Sequence, residues 1–282
     1  MGTLTDRADF LTDDGASIAY LEAGSGQPIV FIHGFTLDRT LWQYVVENPP
    51  AGCRLIMYDL RGHGMSGSLP PDYSKARLLA DLEAIVKATS SADTILCSHS
   101  LGCSAAVEYA LRHPGRARAL VLVNPYVSGC ARPPESIWNR GAVSFSEIAK
   151  TQGIDEAKKR WENFALFDPA RRRPAAAKLL RDMIARFSGA PWLYETRDER
   201  AALNTRDLLN NLRCPVLAIS GAEDDILYRQ AAEFVRSVVP KSSLVVIRDA
   251  GHLVPIEQPQ AFCDALSRFV GALDGPRSEV VR

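Results

Sequence analysis

The chain has no surplus of charge of either sign. Of its 282 residues, 33 are basic and 33 are acidic, so the formal net charge is zero. Such a balance offers no field to attract a nucleic acid or an anionic membrane as principal partner. Long hydrophobic stretches are missing as well: the longest purely apolar strand-like run, 119–123, is far too short to span a bilayer. The opening residues, MGTLTDRADF, contain no apolar signal region, and Asp6 breaks the myristoylation pattern. Six cysteines occur singly, at 53, 97, 103, 130, 214 and 263, and never as CxxC. That spacing argues against a metal site or a disulfide framework and for a reducing, cytoplasmic setting. Histidine is scarce: only positions 33, 63, 99, 113 and 252 carry it, so a general base has few candidates.

What is present is ordinary globular material, 46% hydrophobic and 23% charged. It is enough for one large domain or a domain with an insertion. Short apolar runs at 18–21, 28–32, 54–58, 94–97, 119–123, 216–220 and 244–247 read as strands, several of them apolar throughout. Between them lie amphipathic helices. Leu78, Leu79, Leu82, Ile85 and Val86 make one apolar stripe, and Phe262, Leu266, Phe269, Val270 and Leu273 make another. This alternation predicts an α/β fold with a mostly parallel sheet covered on both faces. The rhythm breaks over 128–211, which reads as helix and loop rich in aromatics. The expected organisation is a core of 1–127 and 212–274, a helical cap inserted at 128–211, and a flexible tail at 275–282. The run Arg171, Arg172, Arg173, with Asp168 before it and Asp182 after it, reads as a solvated face.

One stretch carries chemistry. ILCSHSLGCSAAVEYALRHP, beginning at Ile95, starts as a strand and ends as a helix, with Ser98-His99-Ser100-Leu101-Gly102 at the junction. A sharp strand-to-helix turn needs small residues two before and two after its centre, and Ser98 and Gly102 meet that need. A serine hydroxyl becomes a nucleophile near neutral pH only with a base in reach, a carboxylate to orient that base and donors for the oxyanion.

Five segments in order resemble the α/β-hydrolase fold family, of the esterase, lactonase and C–C hydrolase type with a helical cap. They are VFIHGF ending at Phe35, DLRGHGMS from Asp59 to Ser66, SHSLG around Ser100, SGAEDD from Ser220, and DAGHLVPIEQP around His252. Together they cover nearly the whole chain. The resemblance implies Ser100 as nucleophile, Asp224 as acid and His252 as base, in the chain order usual for this fold. Glu223 and Asp225 flank Asp224 and remain alternatives for the acid. Some relatives place the acid after an earlier strand, but here that strand ends at Asn124, which carries no charge. The oxyanion donors implied are the backbone N–H groups of Leu101 and Phe35. One departure stands out: the family's elbow usually begins with glycine, and here it begins with Ser98.

His33 is expected to support the oxyanion loop or to contact substrate, and His63, with Asp59 and Arg61, to brace a loop behind the site. His99 is expected to pack. Trp138, Trp161 and Trp192 are candidates for an apolar pocket under the cap. The function expected is a cofactor-free, metal-free serine hydrolase that cleaves a small apolar or aromatic ester or lactone through an acyl-enzyme. Hydrolysis of a C–C bond in a β-diketone or ring-cleavage product is the alternative. A cofactor-free oxygenase or perhydrolase and a non-turnover ligand sensor of the same fold are further ones. The expected partner is a small molecule, and oligomeric state is not legible.

Overall fold

A computed structural model of the chain describes residues 8–90, 93–139, 144–194 and 204–273. From the N-terminus run β1 (Ala8–Leu11), β2 (Ser17–Gly24), β3 (Gln27–Ile32), α1 (Gln43–Glu47), β4 (Cys53–Tyr58) and α2 (Lys75–Thr89). Then come β5 (Thr94–His99), α3 (Leu101–Arg112) and β6 (Ala117–Val123). Five helices follow: α4 (Phe145–Gln152), α5 (Ile154–Glu162), α6 (Asp168–Arg171), α7 (Pro174–Arg186) and α8 (Ala190–Leu193). The chain returns as β7 (Val216–Gly221), α9 (Ile226–Val238), β8 (Ser242–Ile247), α10 (Val254–Glu257) and α11 (Pro259–Leu273).

The strands form one eight-stranded sheet in the order β1-β2-β4-β3-β5-β6-β7-β8. All pairings from β4 to β8 are parallel, whereas β2 runs antiparallel to both of its neighbours. The inner strands β5 and β7 are buried along their whole length, as strands covered on both faces must be. Alternation along β3 sends Ile29 and Phe31 to one hydrophobic cluster and Val30 and Ile32 to the other. Helix α2 buries Leu79, Leu82, Ile85 and Val86, and the Ser74 side chain caps it by accepting from the Arg77 N–H.

The four-residue strand β1 was not foreseen. It sits at the sheet edge with Leu11 exposed and only Phe10 packed inward, too little periodic burial for the sequence pattern to reveal. The chain between β6 and β7 contains no strand among the described residues. Its Trp161, Phe167 and Phe187 belong to the same cluster as Phe31 and Leu217, so these helices pack on the sheet's core rather than around one of their own. An ion pair from Arg186 Nε to Asp38 Oδ2 (2.7 Å) ties α7 to the loop after β3. The tail expected at 275–282 lies outside the described residues, as do 140–143 and 195–203.

Strand β3 connects to β4 on one side, and β4 crosses back to β5 on the other side of β3. The loops after β3 and β5 therefore leave in opposite directions, which opens a crevice at the carboxyl ends of the strands. Among the described residues no helix is long and apolar enough to cross a membrane.

Candidate active site

Ser100 sits between β5 and α3 with φ 49° and ψ −117°, a left-handed backbone that a non-glycine residue rarely adopts. Such strain costs about 1–3 kcal/mol and persists only where the surroundings enforce it. Here the Ser100 N–H donates to Val123 O (3.0 Å), and its own carbonyl accepts from the N–H of Cys103 and Tyr126. The turn is so tight that a Cβ on Gly102 would lie 2.7 Å from His33 O. Ser98 fits the glycine position because it is fully buried with its hydroxyl donating to Val121 O (3.3 Å).

The loops after β7 and β8 meet this serine. His252 Nε2 lies 3.0 Å from Ser100 Oγ, and His252 Nδ1 lies 3.1 Å from both carboxylate oxygens of Asp224. Asp224 also accepts from the Asp225 N–H (2.7 Å) and from Asn124 Nδ2 (2.7 Å). Asn124 follows β6 with φ 46°, a conformation asparagine tolerates, so the earlier strand end contributes a donor to the acid. The neighbouring acids are occupied elsewhere. Glu223 pairs with Arg172 at the surface, and Asp225 caps α9 through the Leu227 N–H. The His252 backbone is clamped too: buried Glu257 accepts from the N–H of Gly251 (2.5 Å) and Leu253 (2.8 Å). His99 Nε2 donates to His252 O (2.7 Å). That bond makes His99 more than a packing residue, and burial holds its ring neutral, well below the usual imidazole range.

A cavity of about 870 Å³ opens over Ser100 and His252. Phe35, Leu101, Trp138, Trp161, Trp192 and Tyr228 are among the side chains lining it. Trp161 Nε1 donates to Thr36 Oγ1 (2.6 Å), which in turn donates to Phe35 O (2.7 Å), so α5 is fastened to the loop after β3. None of the hydrogen bonds among the described residues uses the N–H of Phe35 or Leu101. The Leu101 amide opens α3, where first-turn N–H groups lack helical partners and the helix dipole favours negative charge. Gly34 brings the Phe35 loop against the serine, since a Cβ there would lie 3.1 Å from Ser100 Cβ.

Residues 29–265 match the Alpha/beta hydrolase family, which is most of the chain. The chain belongs to the α/β-hydrolase family. It is an enzyme of that family, with curated and solved relatives along almost its whole length. An AB hydrolase superfamily protein, YisY, from Bacillus subtilis is 23% identical over 92% of this chain and 97% of its own. A thermophilic esterase from Thermogutta terrifontis is 27% identical, with a TM-score of 0.78 over 95% of this chain and 99% of that one. An esterase from Rhodococcus sp. ECU1013 is 25% identical, with a TM-score of 0.80 over 95% of this chain and 100% of that one.

Two histidines of this α/β-hydrolase stand apart from the cavity. His33, a candidate for the pocket on sequence, is fully buried and does not line it. Its Nδ1 donates to Gly34 O (2.8 Å) and its Nε2 accepts from the Leu60 N–H (2.8 Å), so it braces two loops. His63 packs between Phe35 and Phe187, and burial pushes its pKa down to about 3. Asp59 accepts from the N–H groups of Arg39 (2.7 Å) and Met65 (2.8 Å), holding the loop that follows β4. Sequence reasoning missed Tyr228, Glu257 and the Asn124 amide as site residues. Glu257 lay within the DAGHLVPIEQP segment, but nothing in the periodicity of α9 separates Tyr228 from a core aromatic. Among the described residues no three His, Cys, Asp or Glu side chains gather as metal ligands.

Proposed function

We propose that this α/β-hydrolase is a serine hydrolase that cleaves a small apolar or aromatic ester or lactone through an acyl-enzyme. The observation that carries this reading is the 3.0 Å approach of Ser100 Oγ to His252 Nε2 at the floor of the cavity. His252 takes the hydroxyl proton as Ser100 attacks the carbonyl, and the His252–Asp224 contact holds the tautomer and stabilises the imidazolium. The N–H groups of Phe35 and Leu101 are free to hold the oxyanion, each worth about 10²–10³ in turnover. His252 then returns the proton to the leaving alcohol, which in a lactone stays tethered to the acyl group. Water clears the acyl-enzyme by the same path.

Aromatic walls support an apolar or aryl acyl group, and the esterases from Thermogutta terrifontis and Rhodococcus support the ester class. The same reading keeps the protein in the cytoplasm, because six scattered cysteines suit a reducing compartment. The test is intact-mass labelling by a fluorophosphonate of wild type and Ser100→Ala, with peptide mapping. One adduct at Ser100, absent from the variant, is expected together with turnover of aryl esters. A well-folded protein that takes no adduct would overturn the reading in favour of a ligand sensor or an oxygenase.

A further inference from the structure

Plain ester hydrolysis calls on Ser100, His252, Asp224 and two backbone N–H groups. Two further donors border the same cavity and are left over. Trp161 spends its indole N–H on Thr36, but Trp138 Nε1 is buried without an acceptor among the described residues. Tyr228, in the first turn of α9, is only 5% exposed, and its ring lies 4.1 Å from the His252 ring. Its phenol oxygen lies within hydrogen-bond reach of the Trp138 indole and the Ser100 hydroxyl, yet the Trp138 N–H closes no hydrogen bond there. Burial and the Asp224 charge push its pKa above the usual phenol range, so the hydroxyl keeps its proton.

The pairing of these donors is built rather than incidental. Asp225, at the start of α9, accepts from Ser136 Oγ (2.7 Å) and from the Ile137 N–H (2.9 Å). It thereby pins the turn carrying Trp138 beside the helix carrying Tyr228. A buried donor without an acceptor destabilises the protein, and a ligand oxygen removes that penalty. A site built to bond an oxygen also discriminates against the analogue that lacks it.

We propose that the Trp138 N–H and the Tyr228 O–H form a donor pair that reads a second oxygen on the substrate. The preferred esters then carry an oxo group one or two carbons from the scissile carbonyl. This rests on the serine-hydrolase reading and narrows its substrate class.

The experiment compares methanol release from two matched pairs. Methyl benzoylformate is set against methyl phenylacetate, and methyl benzoylacetate against methyl 3-phenylpropanoate. Oxo esters are intrinsically more reactive, so the readout is the change in the oxo-to-deoxo ratio of kcat/KM between wild type and variant. In at least one pair, Tyr228→Phe and Trp138→Phe should each lower that ratio about tenfold. An equal loss on both members of each pair would make Tyr228 a packing residue for His252 and overturn the proposal, as would an unchanged ratio. If fluorophosphonate labelling fails, the hydrolase reading falls on its own. The donor pair is then read by tryptophan-fluorescence titration of Ser100→Ala protein with the same four esters. Tighter binding of an oxo ester that Tyr228→Phe abolishes supports the pair, and equal binding of all four overturns it.

Discussion

Asp224 and Asp81 are both buried carboxylates held by nitrogen donors, yet their surroundings end differently. Asp81 accepts from Arg61 Nε (3.0 Å) and Nη2 (2.8 Å), and Arg61 in turn holds Asp14 and the Pro70 carbonyl. Arg77 Nε adds a third contact to Asp81 at 3.2 Å. Every guanidinium nitrogen of Arg61 is thus matched within the protein. The chain of contacts from Asp224 instead runs through His252 to Ser100 and stops at a cavity wall. The same chemical types brace a fold when closed on themselves and offer reactivity when one end is left open.

The largest effect expected breaks the open cluster. Ser100→Ala should lower kcat on an aryl ester about 10⁶-fold in steady-state kinetics, with the urea midpoint nearly unmoved. Breaking the closed cluster should do the reverse. Arg61→Leu removes two of the three guanidinium contacts to buried Asp81 and leaves only Arg77, and should cost about 3 kcal/mol in urea unfolding. Turnover per folded molecule should stay within about twofold, since Arg61 touches no part of the cavity.

A third prediction concerns the histidines that are buried and neutral. His33, His63 and His99 all have pKa values lowered by burial, His63 from 6.5 to about 3. Between pH 6.5 and 3 the unfolded chain binds a proton at position 63 that the folded chain does not. Stability therefore falls as pH falls through that window, by about 1.4 kcal/mol per pH unit from His63, and His33 and His99 act in the same direction. Urea unfolding between pH 4 and 6 should show this slope, and His63→Gln should reduce it by one proton's share.

Smaller effects sharpen the contrast. Asn124→Gly keeps the left-handed backbone but removes the donor to Asp224, and kcat should fall about tenfold, a barrier increase of about 1.4 kcal/mol. Arg172→Ala removes an exposed contact to Glu223 and should shift stability by less than about 0.5 kcal/mol. A large loss of activity in Arg172→Ala would reopen Glu223 as the acid.

Much of the architecture was legible in the residue pattern because burial on both faces leaves its mark on composition. The runs at 28–32, 94–97, 119–123 and 216–220 are apolar except for Thr94 and Ser220 at their ends, and they sit in the middle of the sheet. At the edges this signal weakens. Strand β1 pairs only with β2 and exposes Leu11, and β8 is half exposed along most of its length. The candidate site divides in the same way. Ser100, Asp224 and His252 lie in segments whose small residues and charges mark turns. His33 looked like a pocket residue from its place beside Gly34 and Phe35, but the ring turns inward to two backbone partners. Rotamer and loop packing decide that direction, and neither leaves a trace in residue spacing.

By itself, the order of residues determined the strands, the tight turn at Ser100 and the identities of a hydroxyl, an imidazole and a carboxylate. These follow from local sterics and from periodic burial, both of which act over a few residues. Tertiary structure decided which of three consecutive acids faces His252, that Asn124 steadies it, and that Glu257 and His99 grip the His252 loop. It also brought Trp138 and Tyr228 to one cavity, with the Trp138 N–H left without an acceptor among the described residues. The longest of those relations join strand ends 100 residues apart, between Asn124 and Asp224, and 153 apart, between His99 and His252, and packing of the whole sheet brings them within hydrogen-bond range.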